Sequence, residues 1–340
     1  MYVIAADAMG GDFAPEAPVQ GALRALNDFS DISVTLVGRQ EAIAKAARGA
    51  RNPRLTIVDA REVIETGESP VLALRRKKDS SLVRAFDLLR EGQTNALISA
   101  GSTGAVMAGS MFKLGRIPGV DRPAITVLVP TPSGQPVVML DGGANVDCTP
   151  EMLAQFAAMG AVYARALLGR DRPRVGLVNI GEEAEKGNQQ TKAAYVLLNQ
   201  LSCKPQSLGG AAYEFVGNVE ARGIPMGEVD VAVCDGFTGN IIMKTMEGVS
   251  KSLFDMIKKE LNGSVRSKIG GALAMPALKR LKAVMSAEEI GGAIMLGASS
   301  LVVKAHGNSK EYAFFAGIRQ ARSLLQADVV GKIQAALPSL

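Results

Sequence analysis

The sequence of 340 residues contains three cysteines, one histidine and no tryptophan, and aromatic residues make up only 4% of it. Cys148, Cys203 and Cys234 lie far apart and form no Cys-x-x-Cys pair, which argues against disulfides and zinc and favours a reducing compartment. Because His306 is the only histidine, sites with several imidazole ligands and two-histidine relays are excluded. The scarcity of aromatic side chains disfavours base stacking, so we expect no nucleic-acid partner.

Long uninterrupted apolar runs are also missing. Residues 92–112 and 123–140 carry no charge, but polar side chains interrupt the first stretch and three prolines break the second. We therefore predict no membrane-spanning helix. The opening segment Tyr2–Ala6 is typical of a strand and lacks the basic residues and the longer apolar run of a signal peptide. We expect a cytoplasmic protein.

The composition is that of a chain with a packed core. Hydrophobic residues make up 47% and charged residues 21%, and the net charge is +5, which favours anionic partners. The length allows about two domains or one large α/β unit. We predict a single unit over residues 1–340.

Short β-rich runs alternate with segments that have the spacing of amphipathic helices. One predicted helix has Leu82, Phe86 and Leu89 on one face, and another begins with a capping residue and a proline at Thr149-Pro150. This alternation predicts a mostly parallel sheet covered on both faces, an α/β fold. The predicted strands are Tyr2–Ala6, Ser33–Val37, Leu55–Val58, Ala96–Ser99, Ala124–Val129, Val137–Leu140, Arg174–Ile180 and Val229–Cys234.

Two segments depart from this alternation. The connection between Ala124–Val129 and Val137–Leu140 is too short for a crossover helix, so these strands are predicted to form an antiparallel hairpin. Residues 248–283 contain no strand pattern and carry a Gly-rich break near Asn262. We predict that they form a helical hairpin inserted in the α/β body.

Five loops at predicted strand ends are polar and rich in glycine. Ligands of open α/β sheets bind at the carboxyl ends of strands, where glycine lets backbone N–H groups approach an anion. Any one such loop is slightly better explained as a simple turn, but we expect the five to converge on one edge of the sheet, and together they favour a site for an oxyanion such as phosphate. None matches a dinucleotide-binding, P-loop or nucleophile-elbow motif, so we expect no cofactor and no metal. The loops begin at Asp7, Ser99, Asp141, Gly181 and Asp235.

Six motifs occur in an order that resembles a known family. The series resembles the bacterial phosphate acyltransferases of phospholipid synthesis, the acyl-ACP:phosphate transacylases, over roughly Val3 to Ser323. The departures are small, and only one touches a candidate site: Ser102 stands where the family has Asn, which keeps a hydrogen-bonding side chain but loses an amide. The motifs are Asp7-Ala-Met-Gly-Gly-Asp12, Ser99-Ala-Gly-Ser-Thr-Gly-Ala105, Gly143-Ala-Asn145, Gly217-Asn-Val-Glu220, Asp235-Gly-Phe-Thr-Gly-Asn240 and Lys304-Ala-His-Gly307.

The resemblance implies a reaction, a fold and partners. The reaction is acyl-ACP plus inorganic phosphate giving acyl phosphate plus free acyl carrier protein (ACP). The fold is a three-layer α/β body similar to phosphate acetyltransferases and isopropylmalate dehydrogenases, as a homodimer. The implied partners are ACP, phosphate, the inner face of the cell membrane and a downstream glycerol-3-phosphate acyltransferase.

Four residues are the candidates for catalysis, each with a structural alternative. Lys186 would neutralise charge, or it would be a solvated lysine paired with a neighbouring glutamate. Asn240 and Asn218 would donate to an oxyanion, although Asn218 is equally well explained as a left-handed turn residue and Asn240 would otherwise be an ordinary first-turn helix residue. Asp235 would orient Lys186 or the substrate, or would cap a helix.

The remaining candidates form two groups. The first group, the glycines and polar side chains of the loops, is assigned to binding phosphate or substrate, and among its members His306 has a structural turn role as the stronger alternative. Its members are Asp7, Gly10, Gly11, Gly101, Ser102, Thr103, Gly104, Asn145, Gly236, Thr238, Gly239 and His306. The second group, apolar and basic residues of the predicted helical hairpin, is assigned to ACP and membrane contact. Its members are Arg266, Lys268, Ile269, Leu273, Met275, Lys279, Arg280 and Lys282.

Other functions remain open at this point. A short-chain phosphate acyltransferase would use acyl-CoA, and a dehydrogenase relative would use a nicotinamide cofactor, against which the missing dinucleotide motif counts. A protein of another class, a membrane-surface scaffold, would bind acyl-ACP without turnover.

Overall fold

Eleven α-helices and eleven strands lie within the part of the chain that a computed structural model describes, residues 1–202, 213–284 and 291–337. The strands are β1 (Tyr2–Asp7), β2 (Ile32–Gly38), β3 (Leu55–Asp59), β4 (Ala96–Ser99), β5 (Ala124–Val129), β6 (Val137–Leu140), β7 (Arg174–Asn179), β8 (Glu214–Glu220), β9 (Val231–Val233), β10 (Ala293–Leu296) and β11 (Leu301–Lys304). The helices are α1 (Glu16–Asp28), α2 (Gln40–Ala46), α3 (Pro70–Arg76), α4 (Ser81–Arg90), α5 (Thr103–Gly109), α6 (Pro150–Leu168), α7 (Gln189–Ser202), α8 (Gly236–Leu261), α9 (Val265–Val284), α10 (Glu311–Gln326) and α11 (Val329–Ala336).

All eleven strands form one sheet in the order β3-β2-β1-β4-β11-β10-β5-β6-β9-β7-β8. The strands β3, β2, β1, β4 and β11 are parallel to one another, and so are β6, β9, β7 and β8. Between these groups, β11 with β10, β10 with β5 and β5 with β6 are antiparallel pairs. Three successive reversals make the two parallel groups run in opposite directions.

Helices cover both faces of the sheet, as a buried parallel sheet requires. On one face the largest core cluster joins α1, α2, α6, α7, α10 and α11 to the sheet, around fully buried side chains such as Phe156 and Phe314. On the other face, a second cluster joins α3, α4 and α5 to the sheet around Phe86, and a third includes Ile242 of α8. The predicted three-layer α/β arrangement is confirmed.

The sequence pattern predicted most of the strands of the sheet. Strands β4, β5 and β6 have the predicted bounds, the β5–β6 hairpin is antiparallel, and Thr149 caps α6 with Pro150 in its first turn. Strands β8, β10 and β11 were not predicted. Strands β10 and β11 are four-residue apolar runs, whose periodicity cannot distinguish a strand from a buried helix, and β8 contains polar residues and Gly217.

The segment predicted as a helical hairpin lies in α8 and α9, joined at Asn262–Ser264. Helix α8 begins at Gly236, twelve residues before the predicted start at Gly248, so one continuous helix connects the sheet to the hairpin. The two helices meet where Leu261 packs against Gly271. Among the described helices, none is both long enough and apolar enough to cross a bilayer.

Candidate active site

The predicted site residues lie at two opposite edges of the sheet. We call the edge where β1, β4 and β11 end the β1 edge, and the edge where β6, β9, β7 and β8 end the β9 edge. The expectation that all five loops share one edge is wrong, because the antiparallel strands β10, β5 and β6 reverse the chain direction halfway across the sheet. At the β1 edge are Asp7, Gly10, Gly11, Gly101, Ser102, Thr103, Gly104 and His306; at the β9 edge are Asn145, Lys186, Asn218, Asp235, Gly236, Thr238, Gly239 and Asn240.

A buried carboxylate organises the first loop of the β9 edge. Asp141 directly follows β6, and its side chain accepts bonds of 2.7 to 3.1 Å from the backbone N–H groups of residues 125, 143, 144 and 145. The side-chain amide of Asn145 donates to Asp141 Oδ2 at 2.8 Å and to the carbonyl of Pro123 at 2.9 Å. Burial raises the pKa of Asp141, and the donated bonds oppose that shift. Asn145 therefore holds the loop, and its amide hydrogens are used within the protein.

Helix α8 starts against this loop. Asp235 caps the helix, since its Oδ1 accepts a 2.7 Å bond from the N–H of Thr238. The N–H of Gly236 donates to the carbonyl of Asn145 at 2.7 Å, and a Cβ at Gly239 would lie only 2.0 Å from the carbonyl oxygen of Asp141. These glycines allow close packing of helix and loop. The capping alternative for Asp235 is the observed one, and the N–H groups of Gly236, Thr238 and Gly239 already have acceptors.

The side chain of Asn240, the fifth residue of α8, remains available. It is exposed and makes no hydrogen bond to another described residue. A Cβ placed on Gly143 would lie 3.6 Å from Oδ1 of Asn240, so the Asn240 amide lies over the loop that Asp141 organises. Helical spacing puts Asn240 on the same face as Phe237 and Ile241, which are 61% and 49% exposed.

Lys186 lies in the loop between β7 and α7, at the end of the strand that neighbours β9. Its side chain is exposed, and none of the ion pairs among the described residues involves it, so the alternative of a glutamate-paired lysine is not observed. A Cβ on Gly181 would lie 3.3 Å from Lys186 Cγ, which shows that the lysine stem packs over this glycine. Among the candidate residues described at this edge, Lys186 and Asn240 have side-chain donors without a partner, and they follow the adjacent strands β7 and β9.

Asn218 is not a free donor. It lies within β8, is only 7% exposed, and its amide donates a 2.7 Å bond to the carbonyl of Glu183. The residue with positive φ is its neighbour Gly217, which lies within β8 and has φ +96°. Asn218 thus contacts the loop that carries Lys186, and we no longer assign it a direct contact with substrate.

At the β1 edge, three loops interlock around a buried acid. Asp7 is 2% exposed and accepts a 2.7 Å bond from the hydroxyl of Ser99, which itself accepts from the N–H of Gly101 at 3.0 Å. A Cβ on Gly10 would lie 2.5 Å from Asp7 Oδ2, and Gly11 has φ +97°. Burial raises the pKa of Asp7. Asp7 and these glycines form a packed structural unit.

Several side chains of the β1 edge reach solvent, including Asp12 in the loop after β1. Thr103 and His306 are exposed, and Nδ1 of His306 accepts a 3.4 Å bond from the N–H of Asn308 in a turn after β11. Nearby Lys304 is 8% exposed and donates to the carbonyl of Ala305. Burial lowers the pKa of Lys304 to about 8, and the negative charge of Asp7 partly offsets this shift. His306 thus has the structural turn position that the sequence offered as its alternative.

Two cysteines lie beneath the β9 edge. Cys148 and Cys234 are both buried, with exposures of 9% and 3%. Burial, with the nearby charge of Asp141, raises the pKa of Cys148 to about 12 and that of Cys234 well above its ordinary value. Cys203 lies outside the described residues. Among those described, no cluster of histidine, cysteine or carboxylate side chains has the arrangement of a metal site.

Two residues of this edge were not singled out from the sequence. Asp141 begins the Gly-rich loop whose glycines drew attention instead, and Asn179 is the last residue of β7. A polar residue at the carboxyl end of a parallel strand is the signal that could have found both. Their contacts depend on backbone groups that are distant in the chain, which the sequence does not reveal.

Comparisons with known proteins agree on one family. The family model described as "Fatty acid synthesis protein" matches residues 2–332. A phosphate acyltransferase of Clostridium botulinum (strain ATCC 19397 / Type A) is 47% identical over 340 residues, covering 99% of this chain and 98% of the relative. A phosphate acyltransferase of Caldanaerobacter subterraneus subsp. tengcongensis is 46% identical over 331 residues, covering 97% of this chain and 96% of the relative.

Solved structures are similar in fold at low sequence identity. The EutD phosphotransacetylase from Staphylococcus aureus has a TM-score of 0.55 at 15% identity, with 100% of this chain and 94% of that chain covered. A branched-chain phosphotransacylase from Enterococcus faecalis V583 has a TM-score of 0.56 at 14% identity, with 96% and 100% covered. These likenesses confirm the fold expected for the α/β body.

Proposed function

The chain belongs to the fatty acid synthesis family of phosphate acyltransferases, and from this premise we propose that it transfers a long-chain acyl group from acyl-ACP to inorganic phosphate. The acyl phosphate formed would supply phospholipid synthesis. The observation that carries the assignment to the β9 edge is that the Lys186 ammonium and the Asn240 amide, each without a partner among the described residues, follow the adjacent strands β7 and β9.

The reaction requires little proton transfer. A phosphate oxygen attacks the thioester carbonyl carbon and forms a P–O–C bond, and the carbonyl π electrons move onto oxygen. When that oxyanion collapses, the C–S bond breaks and the electron pair leaves with the sulfur of the carrier. A thiol of ordinary pKa near 8.5 is a good leaving group as thiolate, so no strong acid is needed.

Charge is the main obstacle for such a site. The attacking phosphate and the developing oxyanion are both negative, and donors fixed in position stabilise that charge more in the transition state than in the ground state. We assign the Lys186 ammonium to the phosphate and the Asn240 amide to the oxyanion. His306 lies at the other edge and has no part in this step.

We propose a direct displacement with no acyl-enzyme. Replacing Cys148, Cys203 and Cys234 together with alanine should leave most of the rate, because the two described thiols are buried and their raised pKa values keep them protonated. The measurement is the steady-state rate, combined with mass spectrometry of enzyme quenched during turnover. An acyl group found on any of these cysteines would overturn direct displacement.

One assay separates this function from its alternatives. Purified protein is incubated with long-chain acyl-ACP and inorganic phosphate, and acyl phosphate is trapped as the hydroxamate with hydroxylamine. Turnover of acyl-ACP supports the proposal, whereas turnover of short-chain acyl-CoA alone supports a short-chain transferase. Binding of acyl-ACP without hydroxamate would identify a non-catalytic scaffold.

We propose that the α8–α9 hairpin is the contact element for ACP and the membrane surface, which would make the protein peripherally associated with the inner face of the cell membrane. Val265, Ile269 and Leu273 are four residues apart, so they form one stripe of α9, and they are 75%, 61% and 81% exposed. The basic residues Arg266, Lys268, Lys279 and Arg280 surround this stripe, which suits acidic carriers and anionic lipid. Lys282 lies outside the residues whose side chains are described.

A separate stripe on α8 is the proposed homodimer surface. Val249, Leu253 and Met256 have the spacing of one helical face and are 61%, 48% and 55% exposed. A second copy of the chain would remove this stripe from water. A glycerol-3-phosphate acyltransferase at the same membrane is the proposed consumer of the acyl phosphate.

Changing Leu273 and Met275 together to glutamate should release the protein from liposomes that contain anionic lipid. The change removes apolar contact with the lipid and places two negative charges among basic residues. Each basic residue near an anionic surface contributes about 1 kcal/mol to binding, and the new charges oppose this attraction. Liposome co-sedimentation at low and moderate salt measures the effect, and sedimentation velocity should show unchanged dimerisation.

A matched control changes two exposed apolar residues away from the hairpin, Val216→Glu with Met226→Glu, which shifts the net charge equally. This control should bind liposomes nearly as well as the parent. If the hairpin variant also binds as well as the parent at both salt concentrations, the membrane role of the hairpin is wrong.

A further inference from the structure

Lys186 lies at the end of a tight turn whose two terminal carbonyls are each held by an asparagine. The N–H of Lys186 donates to the carbonyl of Glu183 at 3.1 Å, which closes the turn. The same carbonyl accepts a second bond of 2.7 Å from the side-chain amide of Asn218. At the other end of the turn, the carbonyl of Lys186 accepts a 3.1 Å bond from the side-chain amide of Asn179.

Asn179 is fitted to this position by its own neighbours. It is the last residue of β7, and its Oδ1 accepts a 2.9 Å bond from the N–H of Ile180, which fixes the orientation of the amide. A Cβ on Gly187 would lie 2.6 Å from Asn179 Oδ1 and 2.7 Å from Nδ2, and Gly187 has φ +98°. Only glycine next to Lys186 leaves room for the asparagine side chain.

Asn218 approaches from the adjacent strand β8. Its amide nitrogen must face the carbonyl of Glu183, because two oxygens at 2.7 Å would repel each other. Its Oδ1 is buried and has no hydrogen-bond partner among the described residues. An unpaired buried acceptor lowers stability, so packing alone gives no reason for an asparagine here. The bond to the turn does.

The side chain of Lys186 leaves this turn over Gly181. The stem packs there, since a Cβ on Gly181 would lie 3.3 Å from Cγ and 3.7 Å from Cδ. The free part of the side chain is therefore its outer end, while its Cα and inner stem are fixed by the turn. An ammonium on a flexible four-carbon stem gains precision from such anchoring.

We propose that Asn179 and Asn218 are positioning residues that act through Lys186. This inference rests on the proposed function, in which the Lys186 ammonium contacts the attacking phosphate. Neither asparagine touches substrate. They fix the backbone of Lys186 from two neighbouring strands, and loss of either bond lets the ammonium move away from the position where negative charge develops. Displacement of a reacting group by about 1 Å can cost up to about 100-fold in rate.

The test is a double-mutant cycle on kcat. Asn179→Asp keeps the shape and the acceptor for Ile180 but removes the donor to Lys186. Alone it should lower kcat at least several-fold, towards the ~100-fold limit, with the KM for acyl donor unchanged. In a Lys186→Ala background the same substitution should change kcat less than about two-fold, because residues that act as a unit are not additive.

The second arm of the test repeats the cycle with Asn218→Leu. Because Asn218 is buried, this variant could fail to fold, and in that case Asn179→Ala takes its place. The matched control is Gln20→Glu, which removes a side-chain amide of α1 that donates to the carbonyl of Ala46 in α2 at 2.6 Å, on helices that pack against the distant half of the sheet. Its kcat should equal that of the parent. Protection of the Lys186 amide against hydrogen exchange should fall in the Asn179 and Asn218 variants and stay unchanged in the control.

The outcomes separate this inference from the proposed function. If the parent makes no acyl phosphate, or Lys186→Ala keeps the full rate, the proposed function or its use of Lys186 is wrong. If Lys186→Ala loses the rate but Asn179→Asp has the same effect with and without Lys186, the asparagines do not act through Lys186. An Asn179→Asp enzyme with the parent's kcat also overturns the inference.

Discussion

Lys186→Ala is expected to lower kcat by about 100- to 1000-fold, or about 2.7–4 kcal/mol of transition-state stabilisation, the range found when one fixed donor is removed from an oxyanion site. The ammonium is the cation that we assign to the attacking phosphate. Since no ion pair of the described residues engages it, its charge is fully available to an anionic substrate. In the variant, water would take the place of the Lys186 ammonium. Water has neither the positive charge nor the fixed position of the ammonium.

The fold should survive this change. Lys186 is exposed, and its backbone keeps the turn bonds to Glu183 and Asn179. Exposed substitutions away from such features usually change stability by less than about 0.5 kcal/mol. Thermal unfolding should therefore match that of the parent, and steady-state acyl phosphate formation measures the loss of rate.

Lys192→Ala is the matched control, because Lys192 is another exposed lysine, in the first turn of α7. It should keep the parent's rate. Lys186→Arg, which retains the charge with a different geometry, should fall between the parent and the alanine variant. Near-normal turnover by well-folded Lys186→Ala would show that Lys186 is an ordinary surface lysine.

Asn240→Ala is expected to lose a comparable share of the rate, on the order of 100- to 1000-fold. The amide is the donor that we assign to the carbonyl oxygen as it becomes an oxyanion. A donor for developing charge is used mainly in the transition state, so kcat should fall with little change in the KM for acyl-ACP. Alanine is a better helix former than asparagine, so α8 should not be weakened.

Two further variants of α8 make this expectation specific. Asn240→Asp replaces the donor with a carboxylate that only accepts and repels phosphate, and it should be at least as inactive as the alanine variant. Thr245→Ala, at another exposed position of the same helix, should behave as the parent. An Asn240→Ala enzyme with unchanged kcat would remove Asn240 from the mechanism and leave the oxyanion without its assigned donor.

The separation of the two edges affects how the motifs are interpreted. At the β1 edge, Asp7 and Ser99 bond to each other, and Gly10 packs against Asp7 and the backbone of Gly101 too closely to admit a Cβ. At the β9 edge, Lys186 and Asn240 keep free donors. We therefore propose that the reaction takes place at the β9 edge and that the loops of the β1 edge have a structural role. Ser102 belongs to the β1 edge, so its replacement of the family's asparagine lies away from the proposed reaction.

The sequence by itself determined the secondary structure of most of the chain and the family to which it belongs. Apolar runs such as Ala124–Val129 and helix signals such as Thr149-Pro150 act locally, through burial and capping within a few residues. The motif Asp235-Gly-Phe-Thr-Gly-Asn240 is equally local. It marks the end of a strand and the start of a helix wherever the strand lies in the sheet.

Only the tertiary structure decided which loops meet. Strand direction depends on pairings such as β10 with β5, which join residues that are far apart in the chain, and a four-residue apolar run does not reveal its partner or direction. The roles of polar side chains depend on the same pairings. Asn218 donates to a carbonyl of the adjacent loop, and Asp141 accepts from N–H groups of β5 and of its own loop, whereas Asn240 faces solvent. A polar residue becomes structural or available to substrate according to the partners that packing brings to it, and those partners are not encoded in its local sequence.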